Sequence, residues 1–71
     1  MLNKSHIPPP DGAQLQVLKV LQDKPHTWDE IRAATEFSND YLGLVIGELL
    51  GQRKVRTGHQ NEVRIYWVAR S

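Results

Sequence analysis

The sequence predicts a small α+β domain: three helices followed by a two-stranded β-hairpin. Three observations predict it. Apolar residues recur at helical spacing in three segments between Asp11 and Leu50, each opened by a side chain suited to a helix N-cap. The period then changes, and Val63 to Val68 reads as a β-branched and aromatic strand. The chain has 71 residues and no Cys, which allows one domain and excludes disulfides, Cys-based zinc sites and a thiol nucleophile.

Residues 1–10 are expected to form a flexible proline-rich tail, with the domain over 11–71. Pro8, Pro9 and Pro10 favour extended backbone and rule out helix before Asp11. Asp11 opens the first helix in a D-x-x-Q capping spacing with Gln14. Leu15, Leu18 and Leu21, with Val17 and Val20, supply its apolar face; Gln16, Lys19, Gln22 and Asp23 fill the other side. Lys24-Pro25 ends it, because proline disfavours helix at the residue before it. Thr27 to Glu30 is a second capping box, and Asp29 and Glu30 place negative charge in the positive first turn. Ile31 and Ala34 are expected to face inward on a short helix ending near Thr35. Glu36-Phe37-Ser38 is a tight connection, with Phe37 in the core and Ser38 as the third N-cap. Leu42, Val45, Ile46 and Leu49 fall on one face of the third helix, Asn39 to about Leu50, and Gly51 reads as its stop. Val55 begins a short strand, Thr57 to Asn61 is turn-like, and Val63 to Val68 returns. Both faces of that return strand are partly apolar, so the pattern leaves its buried face open.

Net charge is +1, but it is unevenly spread. Residues 1–36 carry four cations against five anions, whereas residues 52–71 carry five cations against one anion. A basic segment of that kind is either a phosphate footprint or a solvated surface. The N-terminus lacks the apolar stretch of a secretory signal, and Leu42 to Gly47 is far too short for a membrane span. A cytoplasmic protein without membrane contact is expected. His6, His26 and His59 are isolated, so no metal is expected; no phosphate-binding glycine loop or catalytic triad order is present, so no cofactor, small-molecule substrate or enzymatic activity is expected.

Three helices, the last two separated by three residues, and then a hairpin resemble the winged helix-turn-helix superfamily. The segment TWDEIRAATEFSNDYLGLVIGELLGQRKV is similar to its helix-turn-helix through first wing strand, and RTGHQNEVRIYWVA is similar to its wing. Asp40-Tyr41 and Tyr66-Trp67 resemble pairs found in the small fimbrial-operon regulators of enterobacteria. The resemblance implies a bacterial transcriptional regulator whose partner is double-stranded DNA. It implies contacts from Ser38, Asn39, Tyr41 and Gly43 at the third helix, and from Arg53, Lys54, Arg56, His59, Gln60, Asn61 and Arg64 on or near the wing. The third helix departs from the common pattern: it has no basic residue between Ser38 and Gln52. Its exposed side offers Asp40 and Leu44, which weighs against direct base readout through this helix.

The stretch YLGLVIGELLG sharpens the alternatives. Gly43, Gly47 and Gly51 recur every four residues, and each interior glycine costs about 1 kcal/mol against alanine. Gly43, Leu44 and Gly47 make a shallow surface with one apolar knob. That surface suits close approach to DNA, or contact with a second copy or another protein, or is simply tolerated. Trp28 is read as partly buried packing in preference to a stacking platform. Tyr41 is read either as a phosphate contact or as packing at the helix edge.

Overall fold

Proline is well placed at the first position of a helix, because its missing N–H would have no partner there and its φ is already helical. In this computed structural model, which describes residues 10–69, α1 (Pro10–Val20) accordingly starts at Pro10. Asp11, expected to cap the helix from outside, lies within it. Gln14 is 9% exposed, and its Nε2 donates to Glu48 Oε1 at 2.9 Å, tying the first helix to the third. The rest of the expected tail, residues 1–9, lies outside the described residues. The helix ends at Val20, short of Lys24-Pro25, in a turn where the Gln22 amide bonds the Lys19 carbonyl.

The next element is one the periodicity missed. β1 (His26–Thr27) is only two residues long and pairs antiparallel with β3 (Val63–Val68), with His26 opposite Tyr66 and Thr27 opposite Ile65. The expected two-stranded hairpin is therefore a three-stranded antiparallel sheet of order β1-β3-β2. Two residues carry no detectable alternation, so only the tertiary pairing reveals them.

Thr27 ends that strand and caps α2 (Trp28–Thr35) in the expected box. Its Oγ1 accepts from the Glu30 amide at 3.2 Å, and the Glu30 carboxylate accepts from the Thr27 amide at 3.0 Å. Ile31 is fully buried, but Ala34 is exposed, contrary to its expected inward face. α2 stops at Glu36, which takes a left-handed conformation with φ 62°. Ser38 caps α3 (Asn39–Gly51) as expected, its Oγ accepting from the Tyr41 amide at 3.1 Å.

The far end of α3 differs from expectation. Gly51 is the last helical residue and not the left-handed stop; that position belongs to Arg53, with φ 63°. The Arg53 amide bonds the Leu50 carbonyl at 3.0 Å and the Lys54 amide bonds the Leu49 carbonyl at 2.9 Å. This paired closure is the Schellman arrangement, which ordinarily places glycine where Arg53 stands. Arg53→Gly is expected to raise the unfolding free energy by up to about 1 kcal/mol, since a left-handed L-residue is strained by that order. Urea denaturation checks it.

β2 (Val55–Gln60) also runs further than the sequence implies. Gly58, His59 and Gln60 pair with Ile65, Arg64 and Val63, so the expected five-residue turn shrinks to Asn61-Glu62. Both turn residues have positive φ, 54° and 66°, as a two-residue hairpin connection requires. Gly58 accommodates Trp67: a Cβ there would lie 3.1 Å from the indole Cη2.

One core joins all three helices to the helix-facing side of the sheet. Ala13, Val17 and Leu21 of α1 meet Ile31 of α2, Leu42, Val45, Ile46 and Leu49 of α3, Val55 of β2 and Tyr66 of β3. The four α3 residues are those the helical spacing selects. Tyr66 settles the open question of the last strand: its side is the buried one, so Trp67 and Ile65 face away. Leu15, expected on the apolar face of α1, is 58% exposed. The α1 interface uses small Ala13 and polar Gln14 in its place, a substitution that hydrophobicity alone cannot foresee.

Candidate functional site

The candidate contacts divide between the start of α3 and the hairpin. At the start of α3 the predicted residues are largely committed to holding the structure. The Ser38 hydroxyl is used as the cap. Asn39 Oδ1 accepts from Trp28 Nε1 at 3.1 Å and from Arg32 Nη1 at 3.0 Å. Tyr41 is half-buried and packs edge-on to Phe37, ring centres 5.0 Å apart at 87°. Trp28 is the joint among these parts. Its ring lies 6.0 Å from that of Tyr66, and the place of a Cβ on Gly43 is 3.9 Å from its Cη2. Trp28 thus takes the packing role expected of it and connects the sheet to α3.

Arg32 was not among the residues singled out in the sequence. It sits near the end of α2, and the reversal at Glu36 brings it over the start of the next helix, where its guanidinium reaches Asn39. The usable signal is its position seven residues before Asn39, across the turn. Its cation is accompanied by acids: a shallow hollow here is lined by Asp29, Arg32, Ala33, Glu36, Phe37 and Ser38.

The hairpin separates the remaining cations by strand parity, since successive side chains point to opposite faces. His59 and Arg64 are directly opposite each other and share the helix-facing side with Thr57 and Tyr66. Arg64 Nη1 approaches Thr57 Oγ1 at 3.4 Å, and that hydroxyl itself donates to the Ile65 carbonyl at 2.9 Å. Arg56 and Gln60 lie on the opposite face, with Trp67 and Val63 across from them. Asn61 is at the turn beside Glu62, an acid at the tip. Arg53 and Lys54 follow the C-terminus of α3, about 20 Å along the helix axis from Ser38 at 1.5 Å per residue. The structure therefore brings Arg64 and His59 together with each other but does not gather the eleven predicted contacts into one continuous surface.

The outer side of α3 is open. Leu44 is 68% exposed, and among the described residues nothing lies within 4 Å of where a Cβ would stand on Gly47 or Gly51. No packing among the described residues requires glycine at 47. Gly47→Ala is therefore expected to stabilise the fold by about 1 kcal/mol. Thermal unfolding reads this as a rise of roughly 4–8 °C for a domain of this size.

Fold and site together define a small α+β domain of three helices and a three-stranded antiparallel sheet carrying a hairpin. Comparisons with protein-family models, curated proteins and solved structures find no match to the chain. Among the described residues, no helix is long and apolar enough to cross a membrane.

Proposed function

We propose that this chain is a cytoplasmic bacterial transcriptional regulator of the winged helix-turn-helix type, binding duplex DNA through its hairpin and the start of α3. The observation that carries the reading is the directly opposed His59–Arg64 pair on the side of the hairpin turned to the helices, following two capped helices joined by a three-residue turn. In such a module the helix start addresses the major groove and the hairpin tracks the backbone. Arg32 and Arg64 supply phosphate contacts; Asn39, already held by Trp28 and Arg32, presents a fixed edge to the groove. Asp40 and the absence of basic residues on α3 leave affinity to backbone contacts, so binding by one subunit is weak and steeply salt-dependent.

NMR titration with duplex DNA at low salt tests this. Amide shifts are expected at Asn39, Gly43, His59 and Arg64. Arg64→Ala is expected to lower the log–log salt slope by about 0.9, the value of one phosphate contact. Arg56→Ala, on the opposite face, should change it little. Shifts absent from the hairpin, or an affinity indifferent to salt, would rule the reading out.

A second reading is favoured by the exposure of Leu44 beside bare Gly47. Here the outer side of α3, with Gly43 at its edge, is a protein-contact face. Binding through it is insensitive to salt in the way counterion release is not, and Leu44→Asp abolishes it.

A further inference from the structure

One branch of the Asn39 amide is fully used and the other is open. Trp28 and Arg32 stand four residues apart on α2, which puts them on one face of that helix. Both reach across the turn to the same acceptor, Asn39 Oδ1, at 3.1 and 3.0 Å. An indole N–H and a guanidinium can only donate, so the atom they share is the oxygen, and the orientation of the amide follows from its partners. A carbonyl oxygen has two lone pairs, and both are taken. The Nδ2 branch carries two N–H donors and has no partner among the described residues. Asn39 is exposed at the first position of α3, and it carries the only side-chain nitrogen of that helix.

We infer that Asn39 reads a base as a donor alone and selects guanine, with Trp28 and Arg32 setting that selectivity. The inference rests on the proposed DNA binding by the start of α3 and specifies what that helix start recognises. An asparagine with both branches available matches adenine, donating to N7 and accepting from the 6-amino group. Here the accepting branch is occupied, so the adenine amino group would meet a second donor. Cytosine also presents an amino donor. Guanine presents two neighbouring acceptors, N7 and O6, and matches the two hydrogens of Nδ2. Thymine, with the single acceptor O4, ranks between them. The usual readers of guanine are arginine and lysine, and α3 has neither. The selectivity is therefore built one helix away, by the two donors of α2 that decide which half of the Asn39 amide remains.

Randomised duplex DNA, bound at low salt and sequenced after selection, tests it. The wild type is expected to enrich guanine over adenine at one position by about tenfold, the effect of a well-made base contact. Asn39→Asp keeps an acceptor for Trp28 and Arg32 and suits a helix N-terminus, so the thermal midpoint should hold. It removes both donors, and the preference at that position should move from guanine to cytosine, whose amino group a carboxylate accepts. Trp28→Phe combined with Arg32→Met returns both lone pairs to Asn39. Adenine should then be accepted as well as guanine, whatever the loss of overall affinity, because the readout is a ratio of bases. Should that double variant fail to fold, Asn39→Asp alone decides. A wild type that favours adenine, or a guanine preference that Asn39→Asp leaves unchanged, overturns the inference and leaves DNA binding standing. Bound DNA with no base preference means that Nδ2 donates to phosphate, and overturns it in the same way. Absence of binding to any duplex overturns the inference together with the proposed function.

Discussion

Leu49→Ala is expected to destabilise the domain by about 2–5 kcal/mol, the cost of truncating a fully buried leucine and leaving a cavity. Leu49 is 0% exposed and sits in the core shared by α1, α3 and the sheet. A chain of 71 residues has a total stability of roughly 4–10 kcal/mol at ordinary values per residue. The substitution therefore removes a large part of it, and the variant should be substantially unfolded near physiological temperature. Chemical denaturation measures the loss. Leu44→Ala is the internal control: the same deletion at an exposed site should shift stability by less than about 0.5 kcal/mol. Equal losses at both positions would mean that the assigned core is wrong.

Trp28→Ala is expected to be the other severe change, at about 2–3 kcal/mol. That is below the full cost of a buried aromatic because Trp28 is only half-buried. Three losses combine. The ring pair with Tyr66 goes, the contact beside Gly43 goes, and Asn39 Oδ1 loses one of its two donors. Trp28→Phe separates them, keeping most of the ring packing while removing the N–H, and should cost about 1 kcal/mol. The two variants also differ in what they do to the α3 start. Removing the indole frees Asn39 to follow Arg32 alone, so under the proposed DNA-binding function the response of Asn39 to duplex DNA should weaken in both variants even after correction for unfolding. Denaturation curves and titration of the Asn39 amide, compared across the two, distinguish packing from positioning.

Much of this was legible in the sequence, and the parts that were not have identifiable causes. The caps at Thr27 and Ser38 were readable because they depend on spacings within four residues. The buried face of α3 was readable because Leu42, Val45, Ile46 and Leu49 are all strongly apolar. Leu15 and Ala34 misled because a helix pattern reports which side is apolar, not how wide the covered side will be. β1 was invisible at two residues. The hairpin turn was overestimated because Gly58, His59, Gln60 and Asn61 have turn-forming or polar composition, yet the first three lie in a paired strand. The stop at Gly51 was assigned to the residue type that favours left-handed backbone, whereas Arg53 actually adopts it. At the candidate site the sequence identified the hairpin cations but not their parity, and it missed Arg32, which reaches Asn39 only across the turn. Whether Arg56 shares a face with Arg64 depends on strand register, which only the Asn61-Glu62 turn sets.

The pairing of β1 with β3 also bears on how the chain finds its fold. His26 and Tyr66 are partners forty positions apart. The helices and the hairpin can each form from neighbouring residues, but this pairing must gather about two thirds of the described chain into one closed loop. Its entropy of closure is incurred before its few hydrogen bonds return anything, which is the condition that slows folding in topologies rich in distant contacts. The shortest strand of the sheet, two residues that also start α2, is thus the contact that ties the early part of the chain to the late part.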